Sequence, residues 1–223
     1  MDVLTAILER RSIRSFKSDP VPQETLKSII QSACQAPSAM NTQPWEFVVL
    51  AGEALNNIKK GNVEKLKEGA KPQPEHSVIG WPSDSIYRRR QVDLAVDIFK
   101  LMGIAREDKD KRAAWSERGF RYFDAPAAIV VIADRSLSEA GPLIDIGAMI
   151  QNLSLAALHY DLGTCIEDQG VMYPEVLRKY ATIPDSKKII ISIAIGYPDW
   201  AFVANKLKSR REDINKITSW CGF

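Results

Sequence analysis

The stretch Pro142–Tyr160, PLIDIGAMIQNLSLAALHY, constrains the fold more than any other, because it has the length of a helix and is apolar on nearly every side. A surface helix of a monomer keeps a polar face. This one must therefore be covered twice, by sheet on one flank and by helices, of this chain or of a second subunit, on the other. No run in the sequence approaches the ~20 consecutive apolar residues of a membrane span. The N-terminal MDVLTAILERRSIRSF places its charges after its short apolar stretch, the reverse of a secretory signal. The expectation is a protein neither secreted nor embedded in a membrane.

With 223 residues, the chain is long enough to bury a sizeable core without a covalent staple. A net charge of +2 removes the general electrostatic reason to expect nucleic acid as a partner. Cys34, Cys165 and Cys221 are far apart and form no CxxC pair, which argues against a disulfide framework and a zinc site. A metal is not expected, and a reducing cytoplasm is the expected compartment.

Around the apolar stretch, Asp2 stands as an N-cap before Val3, Leu4, Ile7 and Leu8, the spacing of an amphipathic helix that ends in a basic cluster. Leu26, Ile29, Ile30, Ala33 and Cys34 predict a second helix, stopped at Ala36-Pro37. Strands are predicted at Trp45–Leu50, Ala127–Ala133 and Lys188–Ile195, a solvent-facing helix over Ala54–Glu68, and another over Ile86–Ile104. Lys71–Ser83, with Pro72, Pro74, Gly80 and Pro82, reads as a long loop of the kind that serves as a lid. The order of elements predicts one layered α+β domain over residues 1–223, not a doubly wound fold. Neither GxGxxG nor GxxxxGK[ST] is present.

Two segments carry residues suited to a ligand. Arg10, Arg11, Ser12 and Arg14 offer three guanidiniums and a hydroxyl within five residues. That set reads either as a grip on phosphate or as a solvated basic helix end complementing the helix dipole. The loop from Ala36 to Trp45 (APSAMNTQPW) offers hydroxyl, amide and backbone donors, which suit a planar polar ligand or simply hold the turn. His76 and His159 are not paired with a nucleophile, and no carboxylates stand at a spacing that singles out an acid/base pair.

Taken together, RRSIRSF near residue 10 and APSAMNTQPWEFVV near residue 40 resemble the FMN-dependent nitroreductase family. The resemblance continues through DIGAMIQNLSLAALHYDLGTC, IIISIAIGYPD and the tail ANKLKSRREDINKITSWCGF. It implies a mixed central sheet wrapped by helices in an intertwined homodimer, with the apolar helix at the interface and the tail reaching over the other subunit. It implies that Arg10, Arg11, Ser12 and Arg14 contact the FMN phosphate, ribityl chain and pyrimidine edge, and that Pro37, Ser38, Ala39 and Asn41 come from the partner. Arg211, with Lys208 beside it, takes the phosphate-binding position in the tail. Cys165, Ile166 and Glu167 line the flavin, and a backbone N–H of Glu167 or Asp168 lies near flavin N5. Arg121 becomes the cation beside the N1–O2 edge. Cys165 is expected to be inert. The protein would need to supply only binding and electrostatics, since the flavin carries the chemistry.

The implied activity is ping-pong hydride transfer from NAD(P)H to a small nitroaromatic or quinone acceptor. Residues 70–120 would form a variable lid. Within it, YRRR and IARED resemble the subgroup that reduces nitrobenzoate-like acids, making Arg88, Arg89 and Arg90 candidate substrate contacts of which no more than two can point inward. The alternatives are a reductive dehalogenase or flavin-consuming enzyme of the same superfamily, or a flavin-binding module without turnover.

Overall fold

A computed structural model describes residues 2–76, 80–138 and 140–223. Residues 77–79 of the expected 71–83 loop lie outside the described residues. The elements run α1 (Val3–Glu9), α2 (Gln23–Ala33), β1 (Glu46–Ala51), α3 (Gly52–Lys67), α4 (Ile86–Leu101), α5 (Lys109–Phe120), β2 (Ala127–Asp134), α6 (Ala140–His159), β3 (Gly163–Glu167), α7 (Pro174–Tyr180), β4 (Lys187–Gly196) and α8 (Ile214–Ile217). The four strands lie in the order β1-β2-β4-β3, and every pair among them is antiparallel. Parallel pairing enters through an isolated bridge between Ser12 and Thr164.

The continuous apolar run of β2 is explained by burial on both faces. Ala128, Val130 and Ile132 join a core with Leu55 and Ile58 of α3, Phe120 of α5 and Leu177 of α7. Ile129, Val131 and Ala133 point the other way, into a second core with Leu26 and Ile29 of α2 and Met149 and Leu153 of α6. The result is helices, sheet, helices, as the layered reading requires.

Helix α6 has the two-sided character expected of it. Ile146, Met149, Leu153 and Ala157 are buried against sheet and α2, whereas Ile144 on the opposite face is 76% exposed. By length and composition α6 is apolar enough to cross a membrane, but its inner face is part of the protein's own core. Asp2 caps α1 by accepting the Thr5 N–H, and Val3, Leu4, Ile7 and Leu8 remain exposed.

Three expectations change. Helix α3 is not simply solvent-facing, since Leu55, Ile58 and Asn62 are buried under the sheet. Helices α5 and α7 form from polar segments that bury few residues, Gly119 and Phe120 in α5 and Pro174, Val176 and Leu177 in α7, leaving a weak period to read. The fourth strand, β3, is only five residues long and follows α6 after a turn at Asp161, where φ is +57°. Leu153→Ala, which empties a fully buried site between α6 and the sheet, should cost about 2–5 kcal/mol in chemical denaturation. Asn56→Ala, on the exposed face of α3, should stay within about 0.5 kcal/mol of the parent.

Candidate functional site

Strand β3 lies at the edge of the four-stranded sheet, and the segment following α1 docks along its free side. The Ile13 N–H donates to the Thr164 carbonyl at 2.9 Å, beside the Ser12 bridge. Gly163 makes the close approach available, because a Cβ there would stand 2.4 Å from Ile13 Cγ1 and 2.9 Å from Pro198 Cγ. Asn205, fully buried, then ties three segments together. Its Oδ1 accepts the Arg14 N–H at 2.6 Å, and its Nδ2 donates to the carbonyls of Ser15 and Asp199, each at 2.8 Å. The backbone of residues 12–17 is thus fixed by hydrogen bonds, which leaves its basic side chains available.

Those side chains divide into free and committed groups. Burial and the neighbouring Arg211 guanidinium press the Arg10 pKa down, and neither arginine forms an ion pair among the described residues. Arg211 instead donates to Ser209 Oγ at 2.8 Å and to backbone carbonyls. Neither Glu9 nor Asp161, which border the same cleft, forms an ion pair with Arg10, so the two like charges make a site that an anion would relieve. Arg11 is engaged elsewhere, paired with Glu9 at 2.8 Å and lying over the Trp200 ring at 5.5 Å. Lys208 stands 3.8 Å from Glu9.

The arginine that reaches this segment from α5 is not the one expected. Arg121 is bound to Glu117 and Asp124, so its charge is already compensated. Arg118, three residues earlier, donates to the Arg14 carbonyl at 3.0 Å and lies over the Phe202 ring at 4.8 Å. Its Nε is buried without a hydrogen-bond partner. In α4, Arg90 is paired with Glu212 of the tail at 2.8 Å, Arg88 donates to Gln91 at 2.6 Å and borders an open cleft, and Arg89 is exposed.

Along β3 only one of the five residues is exposed. Ile166 is exposed, and Cys165 is buried close to Ser12, Arg10 and Arg14. Burial drives the Cys165 thiol to about 12 despite those cations, so it stays protonated and unreactive. Glu167 is buried too. Its Oε2 accepts the Gly170 N–H at 2.8 Å, and its Oε1 lies 2.7 Å from Ser192 Oγ, which is also 2.9 Å from the Glu167 carbonyl. One hydroxyl proton cannot serve both oxygens. A protonated Glu167 donating to Ser192 Oγ, which donates onward to the carbonyl, satisfies every group, and burial raises the carboxyl to about 8. Glu167 therefore holds the turn after β3 in shape as a neutral acid.

The loop expected to share the site lies elsewhere in the protomer. Met40, Asn41 and Gln43 adopt left-handed backbone angles, Met40 is 96% exposed, and the Ala39 N–H donates to Asp145 near the start of α6. Arg10 shares a cleft of about 250 Å³ with Leu158, near the end of that helix. From Asp145 to Leu158 is roughly 20 Å along a helix rising 1.5 Å per residue. One protomer thus brings together Arg10, Ser12, Arg14, Cys165 and Arg211, and holds Pro37, Ser38, Ala39 and Asn41 apart from them.

Three residues of the site escaped the sequence reading. Asn205 and Ser192 act through hydrogen bonds that no local pattern marks, and Arg118 differs from Arg121 only in where its helix face points. Among the described residues, no group of three His, Cys, Asp or Glu side chains is placed to hold a metal ion.

A three-layer α+β fold with a basic segment pinned to an edge strand defines a class that sequence comparison identifies: residues 7–197 match the nitroreductase family, and the chain belongs to it. Over 222 residues it is 50% identical to a protein of Thermus thermophilus named NADH dehydrogenase, covering 99% of this chain and 96% of that one. It is 33% identical to the chloronitrobenzene nitroreductase of Comamonas testosteroni, covering 96% and 94%. Among solved structures, an FMN and NADPH-dependent nitroreductase from a Sphingopyxis strain superposes with a TM-score of 0.94 at 26% identity, covering all of both chains.

Glu167 sets a pH dependence of stability. Its folded pKa of about 8 lies above the usual 4.5, so the folded state holds the extra proton between these values. The stabilisation is complete below the lower value and is lost as pH rises through the upper one. Glu167→Gln reproduces the protonated pattern, its carbonyl facing Gly170 and its amide facing Ser192. In thermal unfolding from pH 5 to 9, the parent should lose melting temperature more steeply than the variant, and parallel curves would show that Glu167 is ionised throughout.

Proposed function

We propose that this chain is an FMN-dependent NAD(P)H oxidoreductase that reduces nitroaromatic acceptors, with quinones as a further class. The observation that carries this reading is the uncompensated pair Arg10 and Arg211 beside the edge of β3 in a nitroreductase-family chain. The residues present fit FMN. The two guanidiniums match a phosphate dianion bidentately. Ser12 and Arg14 present polar groups on a backbone already immobilised, and exposed Ile166 offers an apolar contact for a ring face.

When bound, FMN supplies the capacity to accept a hydride from reduced nicotinamide and pass it to an acceptor on the same face. The protein's contribution is positional and electrostatic. Arg10 and Arg211 would hold the phosphate, and Arg14, its own backbone braced by Asn205 and Arg118, would serve the pyrimidine edge. The turn braced by neutral Glu167 would supply a backbone N–H, of Glu167 or Asp168, to N5. The described residues of the 70–120 span, carrying α4 and α5, would form the lid that limits access. Cys165, held as a thiol, takes no part in electron transfer.

The same reading requires a homodimer. Residues 37–41 stand some 20 Å along α6 from Arg10 by the rise of that helix, so a second copy must bring them to the flavin. The outer face of α6 at Ile144, the exposed apolar residues of α1, and Ile214, Ile217 and Trp220 of the tail offer apolar area for that contact. The purified protein should be yellow, dimeric and bind about one FMN per chain. Ile144→Asp should lower dimer content and FMN occupancy together in light scattering and absorbance. A colourless monomer that takes up no FMN would overturn the reading.

Arg10→Ala and Arg211→Ala should each weaken FMN binding by about 1.5–3 kcal/mol, roughly ten- to a hundredfold, while leaving riboflavin affinity unchanged. Fluorescence titration with both flavins separates the cases, since equal losses would mark the arginines as supports of the fold.

A further inference from the structure

Residues 207–213, which carry Arg211, form neither helix nor strand, so no ladder of backbone hydrogen bonds fixes their course. Among the described residues, the Arg211 guanidinium donates only to Ser209 Oγ and to the carbonyls of Ser209 and Arg210. Those bonds orient the guanidinium within its own segment. They do not attach the segment to the fold.

Three side-chain contacts do attach it. Among the described residues, the hydrogen bonds and ion pairs from 208–213 to the rest of the fold join Lys208 to Glu9 at 3.8 Å, Arg210 to both oxygens of Asp97 at 2.9 and 3.0 Å, and Glu212 to Arg90 at 2.8 Å. The last two reach α4 from the residues on either side of Arg211. Arg90 and Asp97 are seven positions apart in α4, which puts them within about 20° of one helix face and roughly 10 Å apart along its axis. Arg90 and then Lys216, through their hydrogen bonds, hold the Glu212 carboxyl down at about 2, so it is ionised at neutral pH.

A surface ion pair adds little to stability. Two pairs that bracket one residue nevertheless fix where that residue can stand. An arginine on an unanchored segment has to be ordered when its ligand arrives, and the lost conformational freedom lowers affinity. Clamped from both sides, Arg211 already stands near Arg10, whose pKa its charge helps to depress.

We propose that Asp97 and Glu212 are positioning residues for the flavin phosphate, Asp97 through Arg210 and Glu212 through Arg90, which together anchor Arg211 to α4 and keep its guanidinium beside Arg10. The inference rests on the reading of Arg10 and Arg211 as the phosphate grip of an FMN enzyme. It also ties α4, the first helix of the lid, to the phosphate end of the cofactor.

The sign of the effect separates positioning from charge. Asp97→Asn and Glu212→Gln each remove a negative charge near a cationic site, so Coulomb attraction alone would leave an anion bound equally well or more tightly. Loss of positioning has the opposite effect. The test challenges the FMN-loaded holoenzyme with riboflavin, which lacks the phosphate, and quantifies both flavins retained by the protein after gel filtration. Each single variant should lower the preference for FMN over riboflavin about threefold and the double variant about tenfold, the scale on which exposed pairs act. Asp97→Glu, which keeps the carboxylate, should retain the parent's preference. A preference that is unchanged or raised in the double variant overturns the proposal. So does an equal fall in retention of both flavins, which would make the contact between α4 and the tail a support of the fold. Failure of the FMN reading itself is separate and takes this inference with it, appearing as a parent protein that retains neither flavin.

Discussion

Asn205 is the joint on which the arrangement of the site depends. A buried side-chain amide is costly unless its donors and acceptor are satisfied, and this one is satisfied only when Arg14, Ser15 and Asp199 are all in place. The chain must therefore bring together its N-terminal basic segment and the turns after β4 to complete one set of hydrogen bonds. Gly163 lets Ile13 approach β3 closely enough to extend the same contact. Because backbone atoms carry the attachment, Arg10 and Arg14 need not spend their side chains on holding the fold. That separation of tasks is what allows cations to stand unpaired beside an edge strand.

The geometry of α6 has an equally direct consequence. A single helix carries the Ala39 contact near its first turns and the Arg10 cleft near its last. Its inner face is consumed by the core, and its outer face presents Ile144, Gly147 and Gln151. A second chain packed antiparallel across that outer face places the start of one α6 beside the end of the other. In the homodimer proposed above, division of the proposed flavin-binding residues between subunits would follow from helix length and from apolar residues on both faces, and assembly and cofactor binding would be linked equilibria.

Much of this was legible in the sequence because burial on two sides leaves a strong mark. The runs at β2 and β4 read correctly since nearly every residue in them faces a core, and α6 since its apolar residues cover both its buried and its exposed face. Helix α5 was harder to read, because its mean character is polar and only Gly119 and Phe120 are buried. The same weakness hid the difference between Arg118 and Arg121, which depends on where a helix turns relative to Arg14. Glu167 was identified for its backbone, but its side chain matters through Ser192, 25 positions away on the neighbouring strand. Contacts made by strand register leave no local signal when the strand is short.

The unpaired cations also fix a relation between stability and binding. Burial of Arg10 and the neighbouring Arg211 both press its pKa down, and among the described residues neither arginine has an ion-pair partner. A carboxylate placed between them would supply one, and the cation would then be unavailable to an anion from solution. Arg121 illustrates that outcome, its guanidinium closed off by Glu117 and Asp124. The same chemistry in two neighbouring settings therefore yields a structural ion pair in one and, on the function proposed above, a binding site in the other. What distinguishes them is whether an acid is paired with the guanidinium: Glu117 and Asp124 hold Arg121, whereas Glu9 and Asp161, which border the same cleft as Arg10, form no ion pair with it.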